Sequence, residues 1–119
     1  MISLTDIGFS GPGLPVDGYG PGFFRVGGVV HHGAVIVAPD GPRPWSGLED
    51  RAALLALAGQ IDVLFLGLGR AIAHPPAELR AALDDLAVGL EAMDSPAAAR
   101  SYNICLSEGR RVAAALIPV

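Results

Sequence analysis

Near the end of the chain, "EAMDSPAAARSYNICLSEG" places three carboxylates, an arginine, an amide and hydroxyls within one short stretch. Glu91 and Asp94 bracket the turn into a helix expected from about Pro96 to Glu108, with Ser95 as N-cap and Gly109 as its stop. At 100° per residue, Arg100, Asn103 and Ser107 share one narrow sector of that helix. Such a set offers a carboxylate as acid or base, a guanidinium as an anion clamp and an amide to orient a ligand. The same groups also serve structure: Arg100 can pair with Glu91 or Asp94, and Asn103 can satisfy carbonyls of the long N-terminal segment. Ala98, Ala99, Tyr102, Cys105 and Leu106 fill the opposite side, and Ala97 and Ile104 flank the polar sector. A helix apolar over so much of its circumference packs on more than one side, so its polar stripe faces a groove, a partner or a buried network.

Other motifs offer less. "GLGR" at Gly67 to Arg70 follows a buried strand as a dinucleotide fingerprint would, but Ile72 holds the third-glycine position and the next helix starts only near Pro75. The glycines read as a close-packed strand end. A strand's C-terminal end is also where α/β sheets place ligands, so Gly67 and Gly69 join Glu91, Asp94, Arg100, Tyr102, Asn103 and Ser107 as the expected lining of a binding pocket. His31 and His32 are strand neighbours pointing to opposite faces, and His74 precedes a proline, so no metal site is expected. Cys105 reads as a small buried hydrophobe, Asp84-Asp85 as a solvated helix end, and no G-x-S-x-G elbow is present. No catalytic residue is singled out and no cofactor is expected.

The elements that must position this stretch can be read from periodicity. "SGPGLPVDGYGPG" favours consecutive turns, giving an ordered surface loop after a short strand at Ile2 to Leu4. Phe23 to Val26, Val29 to Val30 and Gly33 to Ala38 read as a β-meander broken at Gly27-Gly28. After "PDGPRPW" a helix is expected over Leu48 to Ala58, with Glu49-Asp50 at its positive end. "IDVLFLGLG" is a strand buried on both faces, "HPPAELRAALDDLAVG" a helix with a Leu79, Leu83, Leu86 stripe ending at Gly89, and "GLEAMD" a short strand. "RRVAAALIPV" closes the chain as a strand kept from a central position at its end by Pro118. The sum is one α/β domain over residues 1–119, a β-meander leading into a β-α-β-α-β half in three layers.

Composition narrows the function. Of the 119 residues 51% are hydrophobic and 17% charged, enough for a real core with little spare charge, while no apolar run reaches the roughly 20 residues of a membrane span. A net charge of −4 argues against nucleic acid, because the only adjacent cations are Arg110-Arg111. The first 24 residues hold two aspartates and no basic side chain, unlike a secretory signal or transit peptide. One cysteine suits a reducing compartment. The expectation is a soluble cytoplasmic protein.

The closing stretch "EAMDSPAAARSYNICLSEGRRVAAALIP" closely resembles the signature of the Mth938-like domain family, a domain of unknown function with a pattern near E-x-M-D-T-x-x-A-x-R-T-Y-N-x-L-x-x-E-x-R-x-V-x-A-x-L. Glu91, Met93, Asp94, Ala98, Arg100, Tyr102, Asn103, Glu108, Val112, Ala114 and Leu116 match, and Ser95 and Ser101 stand where threonine is usual. "GYGPGFFRVGG", the break at Pro39 to Trp45 and "DVLFLGLG" are similar to the family's other blocks, so the resemblance covers nearly the whole chain. It implies a three-layer fold around a central mixed sheet whose last strand runs antiparallel to its neighbours. It also implies a non-enzymatic interaction or assembly factor, since mitochondrial relatives assemble respiratory complex I, with a protein partner in membrane-complex assembly. The other expectation is a small-molecule binder, or an enzyme of unknown reaction, taking a small anionic ligand near Glu91, Arg100 and Asn103.

Overall fold

The computed structural model describes residues 2–3 by their backbone, and 13–70 and 74–119 in full. Two sheets share them. The first is antiparallel, in the order β1 (Ile2–Ser3), β2 (Val16–Gly20), β3 (Phe23–Val26), β4 (Val29–His32). The second has five strands: β5 (Val35–Ala38), β6 (Gly41–Pro44), β7 (Val63–Leu68), β8 (Gly89–Met93) and β9 (Val112–Ile117), in the order β6-β5-β9-β7-β8. Among the described residues three helices complete the fold, α1 (Arg51–Leu55), α2 (Ala77–Asp85) and α3 (Ser95–Ser107).

The period-2 alternation of a strand explains the layers. Ile36 and Ala38 on β5, Leu64 and Leu66 on β7, Leu90 on β8, and Ala113 and Ala115 on β9 form one face, which α1 and α2 cover with Leu54, Leu79 and Leu83. Val35, Val37, Phe65, Val112, Ala114 and Leu116 form the other, and meet Ala98, Ala99, Tyr102 and Leu106 of α3 together with Val16, Phe24 and Val26 of the small sheet. Helix α3 thus lies between the two sheets. Its apolar breadth follows from having both to satisfy.

Besides β6, which pairs with β5 inside the "PDGPRPW" stretch expected to break the sheet, the sheets differ from the sequence reading in three ways. "VDGYG" is a strand, not part of a turn run: Val16, Gly18 and Gly20 are buried and alternate with Asp17 and Tyr19, and a bulge between Val16 and Gly18 absorbs the irregularity. The rest of the expected loop, residues 4–12, lies outside the described residues, as does Leu4. Second, β9 is the central strand of its sheet, because Pro118 falls just past Ile117 and removes no donor from the ladder. Third, β9 is antiparallel to β5 and parallel to β7, so the sheet is mixed as expected but the closing strand opposes only one of its neighbours.

Helix ends also shift. Asp94, not Ser95, caps α3, its carboxylate accepting from the Ala97 N–H at 2.8 Å, since Ser95 is committed elsewhere. Helix α1 is one short turn and a half capped by Asp50. Helix α2 stops before Ala87, which takes the left-handed φ of 61° usually left to glycine, and Leu86 is exposed rather than part of the core stripe.

Gly67 fixes how closely α3 approaches the sheet. A Cβ there would come within 2.7 Å of both Cα and Oγ of Ser95 and 2.9 Å of a Leu116 methyl, and a backbone atom cannot swing aside. Gly67→Ala is therefore expected to cost about 1–3 kcal/mol, the usual penalty of overpacking, read as a lower urea midpoint at unchanged slope. An unchanged midpoint would mean that α3 can lift from β7 freely.

Candidate functional site

The start of α3 is tied to the ends of the two strands beneath it. Ser95 is fully buried; its Oγ accepts from the Gly69 N–H at 2.9 Å and donates to the Ile117 carbonyl, while its own N–H donates to the Gly69 carbonyl at 2.7 Å. One hydroxyl and one amide thereby close the C-terminal ends of β7 and β9. Gly67 and Gly69 are packed into this knot, and Gly69 has the φ of 84° that the turn requires.

The middle of the helix reaches the other way. Asn103, 3% exposed, accepts from the Val16 N–H at 2.9 Å and donates to the Val16 carbonyl at 2.8 Å. The amide acts as a neighbouring strand would, satisfying both backbone groups of a residue that β1, paired only to Tyr19 and Gly18, does not reach. One position earlier, the Tyr102 hydroxyl donates to the Leu14 carbonyl at 2.8 Å. Burial of that phenol pushes its pKa well above the ordinary tyrosine range.

The eight pocket residues expected from sequence therefore fall into separate places. Gly67, Gly69 and Asp94 belong to the knot at the helix start, and Tyr102 and Asn103 face the small sheet. Ser107 donates back to the Ile104 carbonyl at 2.7 Å, within its own helix. Arg100 is exposed, and among the described residues it has no hydrogen bond or ion pair. Glu91 meets a recess of about 310 Å³ between β8 and α3, lined also by Val63, Phe65, Met93, Ser101, Ile104, Cys105 and Arg110.

Ser101, Cys105 and Arg110 were not foreseen there. Register was the available signal: β7 and β8 are parallel with Phe65 opposite Glu91, so Val63, Phe65, Glu91 and Met93 share the α3 side of the sheet. Arg110 arrives because its N–H bonds the Cys105 carbonyl at 3.1 Å in the helix's closing turn, folding its side chain back so that Nη1 lies 3.5 Å from the thiol sulfur. The arrangement offers an apolar floor with one anion and one cation on its walls. Among the described residues no three His, Cys, Asp or Glu side chains converge as a metal site would require, and no helix is long and apolar enough to cross a membrane.

The raised phenol gives a pH test. Tyr102 is held neutral in the fold, while the unfolded phenol titrates near 10. Its contribution is thus fully present below about pH 10 and is lost as pH rises beyond that value toward the raised native one. Tyr102→Phe should cost about 1 kcal/mol at neutral pH through the lost bond to Leu14. The gap between the two proteins should close above about pH 10 in urea titrations; curves that stay parallel through that range would contradict a buried neutral phenol.

Comparison with known proteins places this geometry. The family model described as "Protein of unknown function (DUF498/DUF598)" matches residues 16–117. An uncharacterised protein of Rhodobacter capsulatus is 54% identical over 112 residues, covering 94% of this chain and 90% of its own. NADH dehydrogenase [ubiquinone] 1 alpha subcomplex assembly factor 3 of Danio rerio is 31% identical over 113 residues, covering 89% of this chain, which spans 65% of that protein's length. Among solved structures, one described as an outer membrane protein from Bartonella henselae superposes with a TM-score of 0.81 at 36% identity, over 94% of this chain and 99% of that one. A Bordetella pertussis protein described as a Mth938-like domain gives 0.75 at 32% identity, over 88% and 85% of the two chains.

Proposed function

This chain belongs to the DUF498/DUF598 family of proteins of unknown function, and from that premise we propose that it is a non-enzymatic interaction protein that helps a membrane-associated complex assemble, working in the cytoplasm. The observation that carries the reading is the likeness over 113 residues to the Danio rerio protein named as an assembly factor. The exposed side of α3 supports it. Arg100 and Ile104 stand one turn apart on that side, and Ile104 is 45% exposed on a helix that buries six of its thirteen residues. A cation beside an isolated large apolar side chain, on a helix held rigidly between two sheets, is a surface that a protein partner can use without reorganising the fold.

The burial of Asn103 bears on how the reading is tested. Removing that amide leaves the N–H and carbonyl of buried Val16 unpaired, at about 1–3 kcal/mol for each group, so loss of binding in an Asn103 variant would report unfolding as much as contact. Ile104→Arg and Arg100→Glu avoid this because both positions are exposed. Quantitative mass spectrometry of proteins captured from native cells should find a partner held by the unmodified chain and released by both variants at unchanged melting temperature. Equal capture by all three proteins removes α3 from the contact.

A small-ligand reading draws on the recess beside Glu91. It requires a metabolite that raises the melting temperature, with the rise abolished in Glu91→Gln; a broad metabolite panel that leaves the melting temperature unmoved removes that reading.

A further inference from the structure

A second recess, of about 210 Å³, lies on the other side of the last turn of α3, lined by Pro39, Gln60, Leu106, Gly109, Arg110, Arg111 and Val112. It and the larger recess meet at Arg110, which lines both. They are contiguous through the fold as well: Leu106 in one follows Cys105 in the other, and Val112 in one is the register partner of Val63 in the other. The two recesses therefore form a surface groove around the last turn of α3 and share Arg110 as a common wall, while Leu106 and Val112 stay packed in the core beneath the helix.

The charges in this groove are unsatisfied in a specific pattern. Among the described residues Arg25, Arg43 and Arg111 each have a carboxylate within 4 Å and Arg80 donates to the Leu90 carbonyl, while Arg51, Arg70, Arg100 and Arg110 form no ion pair. The Arg110 guanidinium, among the described residues, touches only the Cys105 sulfur, which leaves most of its five donors for another acceptor. Glu91 stands at the far wall of the larger recess, and among the described residues forms no ion pair with Arg110. The chain as a whole carries a net charge of −4, so the Arg110-Arg111 pair is a local exception on an otherwise acidic molecule.

We infer that this groove docks an extended peptide segment of a partner protein in which an acidic residue meets Arg110, apolar residues on its two sides fill the two recesses, and a basic residue lies toward Glu91. An extended chain presents successive side chains to consecutive sites, which suits two recesses in line better than a single compact metabolite, since that would occupy one. Opposite charges at the centre and at one end also set the direction in which the segment lies. The inference rests on the interaction reading above and names the chemistry of the partner.

The test uses the full chain, nitrogen-15 labelled, titrated with short synthetic peptides that carry a leucine on each side of a central glutamate and a lysine at one end or the other. Saturable amide shifts are expected at Glu91, Cys105, Arg110 and Val112, with one lysine placement favoured. Arg110→Glu should weaken binding roughly tenfold, since an attraction becomes a repulsion, and a peptide with lysine at its centre should recover it. Four results overturn the inference: no saturable shift, shifts unaffected by Arg110→Glu, the same shifts from free glutamate alone, or shifts that follow protein concentration without peptide, as a second copy in the groove would give. If the peptides fail while Arg100→Glu, which lines neither recess, still releases the captured partner, the groove assignment falls and the interaction reading stands. Failure of both removes both.

Discussion

Two hydrogen bonds from one side chain hold the halves of this protein together. The Asn103 amide occupies the place of a missing strand beside Val16, so the small sheet is joined to α3 by the same kind of bond that joins strands to one another. The bonds are worth only about 1 kcal/mol each when made. Their weight comes from the alternative, because Val16 is fully buried and water cannot replace the amide.

Helix α3 is consequently a wall shared by two cores rather than a cover for one. Ser95 fixes its start to the strand ends, Gly67 sets its distance from the sheet, and Asn103 and Tyr102 bind the chain that crosses above it. With so many groups spent on position, little of the helix is left for solvent, and what is left lies along Arg100, Ser101 and Ile104 and around its last turn. A rigid helix with a narrow exposed margin suits recognition at a fixed surface.

The relatives fit this division of labour. The Rhodobacter capsulatus and Danio rerio proteins share the chain at 54% and 31% identity, and the residues that match the Mth938-like signature include Asp94, Tyr102 and Asn103, which cap the helix or face inward here. Much of the signature is thus a description of how α3 is held.

How much was legible in the sequence follows from the range of the interactions involved. The alternating and continuous apolar runs determined β3, β5, β7, β8 and β9, and the Ser-Pro and Gly punctuation located α3 to within a residue or two, because burial periodicity and backbone preference are local properties of the chain. That α3 packs on more than one side was also readable from its circumference. Tertiary structure alone decided that β9 lies at the centre of the sheet, that Val16–Gly20 is a strand, and that Asn103 turns inward while Arg100 turns out. The first depends on which strands pair, the second on a partner strand that supplies its ladder, and the third on the side from which the small sheet approaches. A 100° wheel groups Arg100, Asn103 and Ser107, but only the neighbours on either side of the wheel determine which of them meets water.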